Sequence, residues 1–116
     1  MARILIVDDE PLIAMLAQDF LEDLGHEPVG PAHDLQTALS LTSEQIDAAI
    51  LDVSLGASKS FDVARRLQAH AIPFAFATGA PEPLDGEFHG ALTLPKPFNF
   101  ETFRLVIDAL VKRAAA

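Results

Sequence analysis

Short apolar or β-branched runs alternate with longer stretches of helical period, which predicts an α/β domain built on a parallel sheet with crossover helices. Two further observations point the same way. The runs Ile4-Leu5-Ile6-Val7 and Ala48-Ala49-Ile50-Leu51 are apolar without interruption, as strands covered on both faces are. Polar residues follow directly on the last apolar residue of several runs, at the sheet end where open α/β folds bind ligands.

The first strand, Ile4-Leu5-Ile6-Val7, ends at Asp8-Asp9, and Pro11 suits the first turn of the helix that follows. Leu12, Ile13, Leu16, Phe20, Leu21 and Leu24 recur at helical spacing, and Gly25 is placed to stop that helix. The next segment, Glu27-Pro28-Val29-Gly30-Pro31-Ala32, carries two prolines and predicts at best a short edge strand. Asp34 has the chemistry of an N-cap for a helix from Leu35 to about Leu41. The third strand, Ala48-Ala49-Ile50-Leu51, ends at Asp52, and a helix follows over about 60–70 with Phe61, Val63, Ala64 and Leu67 inward. Pro73-Phe74-Ala75-Phe76-Ala77 is the fourth strand and ends at Thr78-Gly79. Pro81, Pro83 and Gly86 make the next stretch poor helix material, so a mobile loop from Ala80 to His89 is expected. Ala91-Leu92-Thr93-Leu94 is the fifth strand, followed by Pro95-Lys96-Pro97-Phe98. Asn99 can cap a last helix with Phe103, Val106, Ile107 and Leu110 on one stripe.

Composition narrows the function. The 116 residues suit one domain, read as spanning 1–116 without an output domain; Met1 and the Ala-rich end suit a complete short chain. There is no cysteine, so disulfides and cysteine-held zinc are excluded. No apolar run approaches the ~20 residues that span a bilayer, and the N-terminus lacks a signal peptide's apolar region, so a cytoplasmic location is expected. The formal net charge is −9, and only Arg65-Arg66 and Lys112-Arg113 are adjacent basic pairs. Such a field repels nucleic acid, so no direct nucleic-acid or membrane partner is expected.

Asp8-Asp9, Asp52, Thr78 and Lys96 fall just beyond the carboxyl ends of predicted strands, so four distant segments converge on one crevice. Three carboxylates against one lysine leave the cluster about two charges short of neutral. A hard divalent cation with oxygen ligands corrects this, and Mg²⁺ fits a site with few carboxylates. Mg²⁺ and Lys96 together would then receive a phosphoryl group, whose transfer needs positioning and charge neutralisation. Asp52 follows the central strand and is the candidate nucleophile, forming an acyl phosphate. Asp9 is a direct metal ligand candidate, Asp8 a direct or water-mediated one, and the Ser54 backbone carbonyl a further one. Thr78 can donate its hydroxyl to a phosphoryl oxygen, and Gly79 leaves the approach open. Glu10 reads as a charge favoured by the helix dipole rather than a ligand. Pro97 shapes the turn that aims Lys96, through a trans or a cis bond. The aromatic residues Phe74, Phe76, Phe98 and Phe103 read as core, with Phe76 able to couple to Thr78. His26, His33, His70 and His89 read as scattered surface residues.

Val7-Asp8-Asp9-Glu10, Leu51-Asp52, Ala77-Thr78-Gly79 and Lys96-Pro97-Phe98 together resemble the receiver domain of two-component response regulators, over essentially the whole chain. The resemblance implies a flavodoxin-like three-layer sandwich. Its five-stranded parallel sheet would run in the order 2-1-3-4-5, with about five helices and the fourth short or irregular. It also implies Mg²⁺-dependent transfer from a phosphohistidine, on a sensor histidine kinase or a histidine phosphotransferase, to Asp52. Pro73-Phe74-Ala75-Phe76-Ala77-Thr78-Gly79 is similar to the single-domain subgroup with a Phe-Ala-Thr-Gly motif, which is linked to alphaproteobacterial phosphorelays and general stress signalling. Receivers often carry Tyr or Phe three residues before the lysine, as a rotating switch coupled to the threonine. That position is Thr93 here, which joins Thr78, Gly79 and Lys96 as a candidate phosphoryl-binding or switch residue. The segment after Asp52, Val53-Ser54-Leu55-Gly56, lacks the common Met-Pro. The loop at 80–89 is expected to reorder on phosphorylation, and a monomer or weak dimer that acts on a downstream protein, or as a phosphate shuttle or sink, is expected.

Two other classes compete. A Mg²⁺-dependent aspartyl-phosphate phosphohydrolase of the haloacid dehalogenase type needs a D-x-D pair after the first strand and a larger core, whereas Asp8-Asp9 are adjacent and the chain is short. A cofactor-binding flavodoxin-like module needs a Ser/Thr/Gly-rich phosphate loop where this chain has Asp8-Asp9-Glu10-Pro11.

Overall fold

In the computed structural model, which describes residues 1–79, 86–88 and 90–115, strand β1 (Arg3–Val7) divides the core in two. Successive side chains of a strand point to opposite faces. Ile4 and Ile6 therefore enter one apolar layer and Leu5 and Val7 the other, all four out of contact with solvent. Strand β3 (Ala48–Asp52) repeats the division, with Ala48 and Ile50 on the first side and Ala49 and Leu51 on the second.

The first layer packs under α1 (Pro11–Asp23) and α4 (Phe100–Ala115), whose buried stripes are Ala14, Ala17 and Leu21, and Phe103, Ile107 and Leu110. The second packs under α2 (Leu35–Leu41) and α3 (Phe61–Ala69). Asp34 caps α2, its carboxylate accepting the Thr37 N–H at 2.7 Å, and the Asn99 side chain accepts the Thr102 N–H at 2.8 Å at the start of α4. The remaining strands are β2 (Glu27–Ala32), the pair β4 (Ser54–Leu55) and β5 (Ser58–Lys59), β6 (Phe74–Thr78) and β7 (Leu92–Pro95). Five strands form one parallel sheet in the order β2-β1-β3-β6-β7. With the β4–β5 pair set aside, this is the expected 2-1-3-4-5 order of a flavodoxin-like sandwich.

Three details depart from expectation. β2 is a full six-residue strand despite Pro28 and Pro31, because it lies at the sheet edge, where a missing N–H is tolerated. The pairing of β1 with β2 shifts register between Leu5 and Val7, and Gly30, at φ +90°, occupies that irregularity. Second, β4 and β5 form a separate antiparallel hairpin directly after Asp52. Third, the described residues hold four α-helices, and Gly86–Phe88 form a 3₁₀ turn where a fourth helix of five was expected to be short or irregular. Most of the loop expected at Ala80 to His89, namely residues 80–85 and 89, lies outside the described residues. Among those described, no helix is long and apolar enough to cross a membrane.

Candidate functional site

Asp8, Asp52, Thr78 and Lys96 reach one place because β1, β3, β6 and β7 are neighbours in a parallel sheet and end at the same level. The register aligns Val7 with Leu51, Asp52 with Ala77, and Thr78 with Pro95. The residues that follow surround an open cleft of about 570 Å³ lined by Asp9, Glu10, Asp52, Ser54, Thr78, Gly79 and Lys96, together with Ile13, Val53 and Pro97. The Lys96–Pro97 peptide is cis.

Lys96 is the electrostatic centre. Its Nζ lies 2.8 Å from Asp8 Oδ2, 3.2 Å from Asp52 Oδ2 and 3.5 Å from Glu10 Oε1. Asp8 and Asp52 are only 4% and 7% exposed, so this contact lies in a low-dielectric setting rather than in bulk water. Burial would lower the Lys96 pKa, but its hydrogen bond to Asp8 and the charges of Asp8 and Asp52 outweigh it, and the net shift is upward. The Asp52 carboxyl is pushed up to about 6, first by burial and then by the charge of Asp8. Lys96 and the Ser54 N–H pull it the other way. The ionised form of Asp52 still predominates at neutral pH.

Backbone donors hold the carboxylates in place. The Glu10 N–H donates to Asp8 Oδ1 at 2.9 Å, and the Ser54 N–H to Asp52 Oδ1 at 3.2 Å. The Gly56 N–H donates to Asp9 Oδ2 at 2.8 Å, which fastens the β4–β5 hairpin to the end of β1. The Lys96 N–H donates to the Thr78 carbonyl at 2.9 Å, so Thr78 and Lys96 are fixed to each other through the backbone. A Cβ at Gly79 would lie 3.9 Å from Lys96 Cβ, an ordinary contact, so it is a larger side chain here that would crowd the lysine.

Asp8, Asp9, Glu10 and Asp52 each offer a carboxylate oxygen, all within 4.8 Å of one another. Against these four charges stands one lysine, and hard oxygen donors at this spacing fit a divalent cation such as Mg²⁺. The expected cluster is therefore brought together, and Glu10, assigned to the helix dipole from sequence, belongs to it. Only its adjacency to Asp8-Asp9 could have signalled that. Thr93 is not brought to the cleft. It is exposed on β7 and pairs in register with Phe76. Phe76 and Phe103 are fully buried, Phe98 nearly so and Phe74 partly, as expected. His33 and His70 are exposed, but His26 is half-buried and its Nδ1 accepts the Ala2 N–H at 3.1 Å, which corrects its reading as a surface residue. His33 Nδ1 lies 2.9 Å from the Asp8 carbonyl, which can only accept, so the ring donates there.

A family model described as "Response regulator receiver domain" matches residues 4–108. The transcriptional regulatory protein CpxR of Escherichia coli strain K12 is 33% identical over 119 residues, covering 98% of this chain and 51% of CpxR. The phyllosphere-induced regulator PhyR of Methylorubrum extorquens is 37% identical over 112 residues, covering 91% of this chain and 42% of PhyR. The chain thus spans about half the length of the curated relatives it matches. Among solved structures, the solution structure of SdrG from Sphingomonas melonis Fr1 is 42% identical with a TM-score of 0.82, covering 100% of this chain and 98% of that one.

Proposed function

This chain belongs to the response regulator receiver domain family, and from that membership we propose that it accepts a phosphoryl group on Asp52 from a phosphohistidine. The observation that carries the proposal is the Asp52 carboxylate at the end of the central strand, 3.2 Å from a lysine and among three other carboxylates. Receiver domains are signalling modules that work with histidine kinases or phosphotransfer proteins, and this chain is read as one of them.

In the transfer, an Asp52 oxygen forms a bond to phosphorus while the N–P bond breaks, and its electron pair returns to the imidazole. Lys96 and the Thr78 hydroxyl hold phosphoryl oxygens. The Ser54 N–H steadies the carboxylate as it changes from anion to acyl phosphate. Asp8, Asp9, Asp52 and the Ser54 carbonyl would hold Mg²⁺, with Glu10 beside them, and the ion would supply positive charge for the transferring group. On the outer face of α1, Leu12 is 77% exposed and Met15 is 55% exposed. Beside Ile13 at the cleft rim, they form an apolar docking surface for a helical donor domain. The downstream step is protein–protein contact or onward transfer of the phosphoryl group by a single-domain regulator in a phosphorelay.

Incubation with acetyl phosphate and Mg²⁺ tests the reading by intact mass. One added phosphoryl group is expected, absent in Asp52→Ala. No gain by the wild type, or an undiminished gain by the variant, would refute it. Turnover of phosphate esters by the wild type but not by Asp52→Asn would instead make the chain a phosphohydrolase.

A further inference from the structure

The β4–β5 hairpin is absent from the sequence expectations, and its placement ties it to the chemistry. It leaves β3 directly after Asp52, buries Leu55 in the core and is fastened to Asp9 through the Gly56 N–H. Ser54 and Lys59 are partners across the two strands, so their side chains share one face. Lys59 Nζ donates to Ser54 Oγ at 3.0 Å, and Ser54 lines the cleft.

Two features set Lys59 apart. Lys96 is already held by Asp8, Asp52 and Glu10, whereas Lys59 makes no ion pair among the described residues. Its one partner among the described residues is a neutral hydroxyl, which leaves two ammonium protons for an incoming group. Ser54 Oγ, accepting from Lys59, in turn keeps its own proton to donate. The exposed Lys59 and the half-buried Ser54 thus present a positive charge and several donors at the part of the cleft formed by the hairpin.

The charges of the cleft call for such a group. Four carboxylates against Lys96 leave it net negative, and a divalent cation would not fully cancel that. Every phosphoryl donor is an anion and approaches against this field. We infer that Lys59, acting with Ser54, is a donor-binding residue that captures the anionic phosphate of a phosphohistidine or small acyl phosphate before transfer. The inference rests on the Asp52 reading and assigns Lys59 to the encounter rather than to the bond-making step.

Phosphorylation rate against acetyl phosphate concentration, at fixed Mg²⁺, tests this in wild type, Lys59→Gln, Lys59→Arg, Ser54→Ala and the Lys59→Gln/Ser54→Ala double variant. Lys59→Gln should raise the half-saturating concentration roughly fivefold, the Coulomb effect of one screened charge on a dianion a few ångströms away. That effect should be concentrated in half-saturation rather than in the plateau rate. Lys59→Arg should restore it, and the double variant should fall short of the product of the single effects. Mg²⁺ affinity and thermal midpoint, measured in parallel, should move little, since Lys59 touches no carboxylate. An unchanged half-saturation in Lys59→Gln, a failure of arginine to rescue, or a parallel loss of Mg²⁺ affinity would overturn the inference. Failure of the wild type to gain a phosphoryl group would fall on the Asp52 reading itself.

Discussion

Replacing Asp52 with asparagine should stabilise the metal-free protein at neutral and alkaline pH, although the carboxylate makes two hydrogen bonds. Burial and the charge of Asp8 push the Asp52 carboxyl up to about 6, against an ordinary value of 3.8. The folded state therefore holds this proton more tightly than the unfolded one. The stability it contributes is fully present below about pH 4 and is lost as pH rises through 6. At about 1.4 kcal/mol per unit, the loss amounts to roughly 3 kcal/mol. Asparagine never ionises, keeps an oxygen for the Ser54 N–H, and leaves Lys96 paired with Asp8 at 2.8 Å. With allowance for imperfect packing of the amide, a net gain of about 1–2 kcal/mol is expected, or roughly 5 °C in Tm.

Thermal unfolding in EDTA from about pH 4.5 to about pH 8 measures this directly. The advantage of Asp52→Asn should be largest at the alkaline end and fall to about zero or reverse at the acid end, where the ionisation penalty is only about 1 kcal/mol and no longer exceeds the packing cost of the amide. Adding Mg²⁺ at the alkaline end should raise the wild-type Tm more than that of the variant, because binding to the folded state alone stabilises it. A variant less stable than wild type throughout the range in chelator would refute the account of Asp52 as a strained, half-compensated anion.

Lys96→Met removes the cation between two nearly buried carboxylates and should cost about 3 kcal/mol in urea unfolding at neutral pH, with a smaller cost below pH 6, where Asp52 takes up its proton. Gly30→Ala would force a positive-φ residue and bring its Cβ within 2.8 Å of the Ala32 nitrogen. A loss of about 2 kcal/mol in the same assay is expected, and a neutral result would contradict that backbone geometry. Phe88→Ala empties a site that is 4% exposed and packed by Phe61, Phe74 and Phe76, and should cost about 3 kcal/mol.

The sheet and the main members of the site were legible because each rests on a local signal. An uninterrupted apolar run followed at once by aspartate, as at Ile50-Leu51-Asp52, marks both a buried strand and its functional end. Glu27 to Ala32 was harder to read, because its prolines argue against a strand unless its place at the sheet edge is already known. The long-range contacts around the carboxylates were beyond local reading. The Gly56 N–H meets the Asp9 carboxylate across 47 positions and His33 meets the Asp8 backbone carbonyl across 25, contacts that only the assembled fold creates. The β4–β5 hairpin was missed for a related reason. Its strands are two residues each, too short for alternation to register, and Leu55 alone fixes which face turns inward.

Thr93 stands at the position that the resemblance assigns to a family switch, outside the cleft. The position matches a family switch, yet β7 is an edge strand and Thr93 lies exposed beside Phe76. The aromatic mass on this side of the sheet comes instead from β6, α3 and the 3₁₀ turn. Phe88 stacks on Phe61 at 5.2 Å and meets Phe76 edge-on at 5.4 Å. Arg65 covers the Phe88 ring at 5.8 Å and pairs with Glu87 at 2.8 Å, so the turn is held by both apolar and ionic contacts. Phe76 stands two residues before Thr78 on the same strand, which makes β6 itself the connection between the cleft and this cluster. Phe88 touches Phe61, Phe74 and Phe76, so the packing of this group depends on it. The variant that empties that site should be felt along β6 as well as in the total stability.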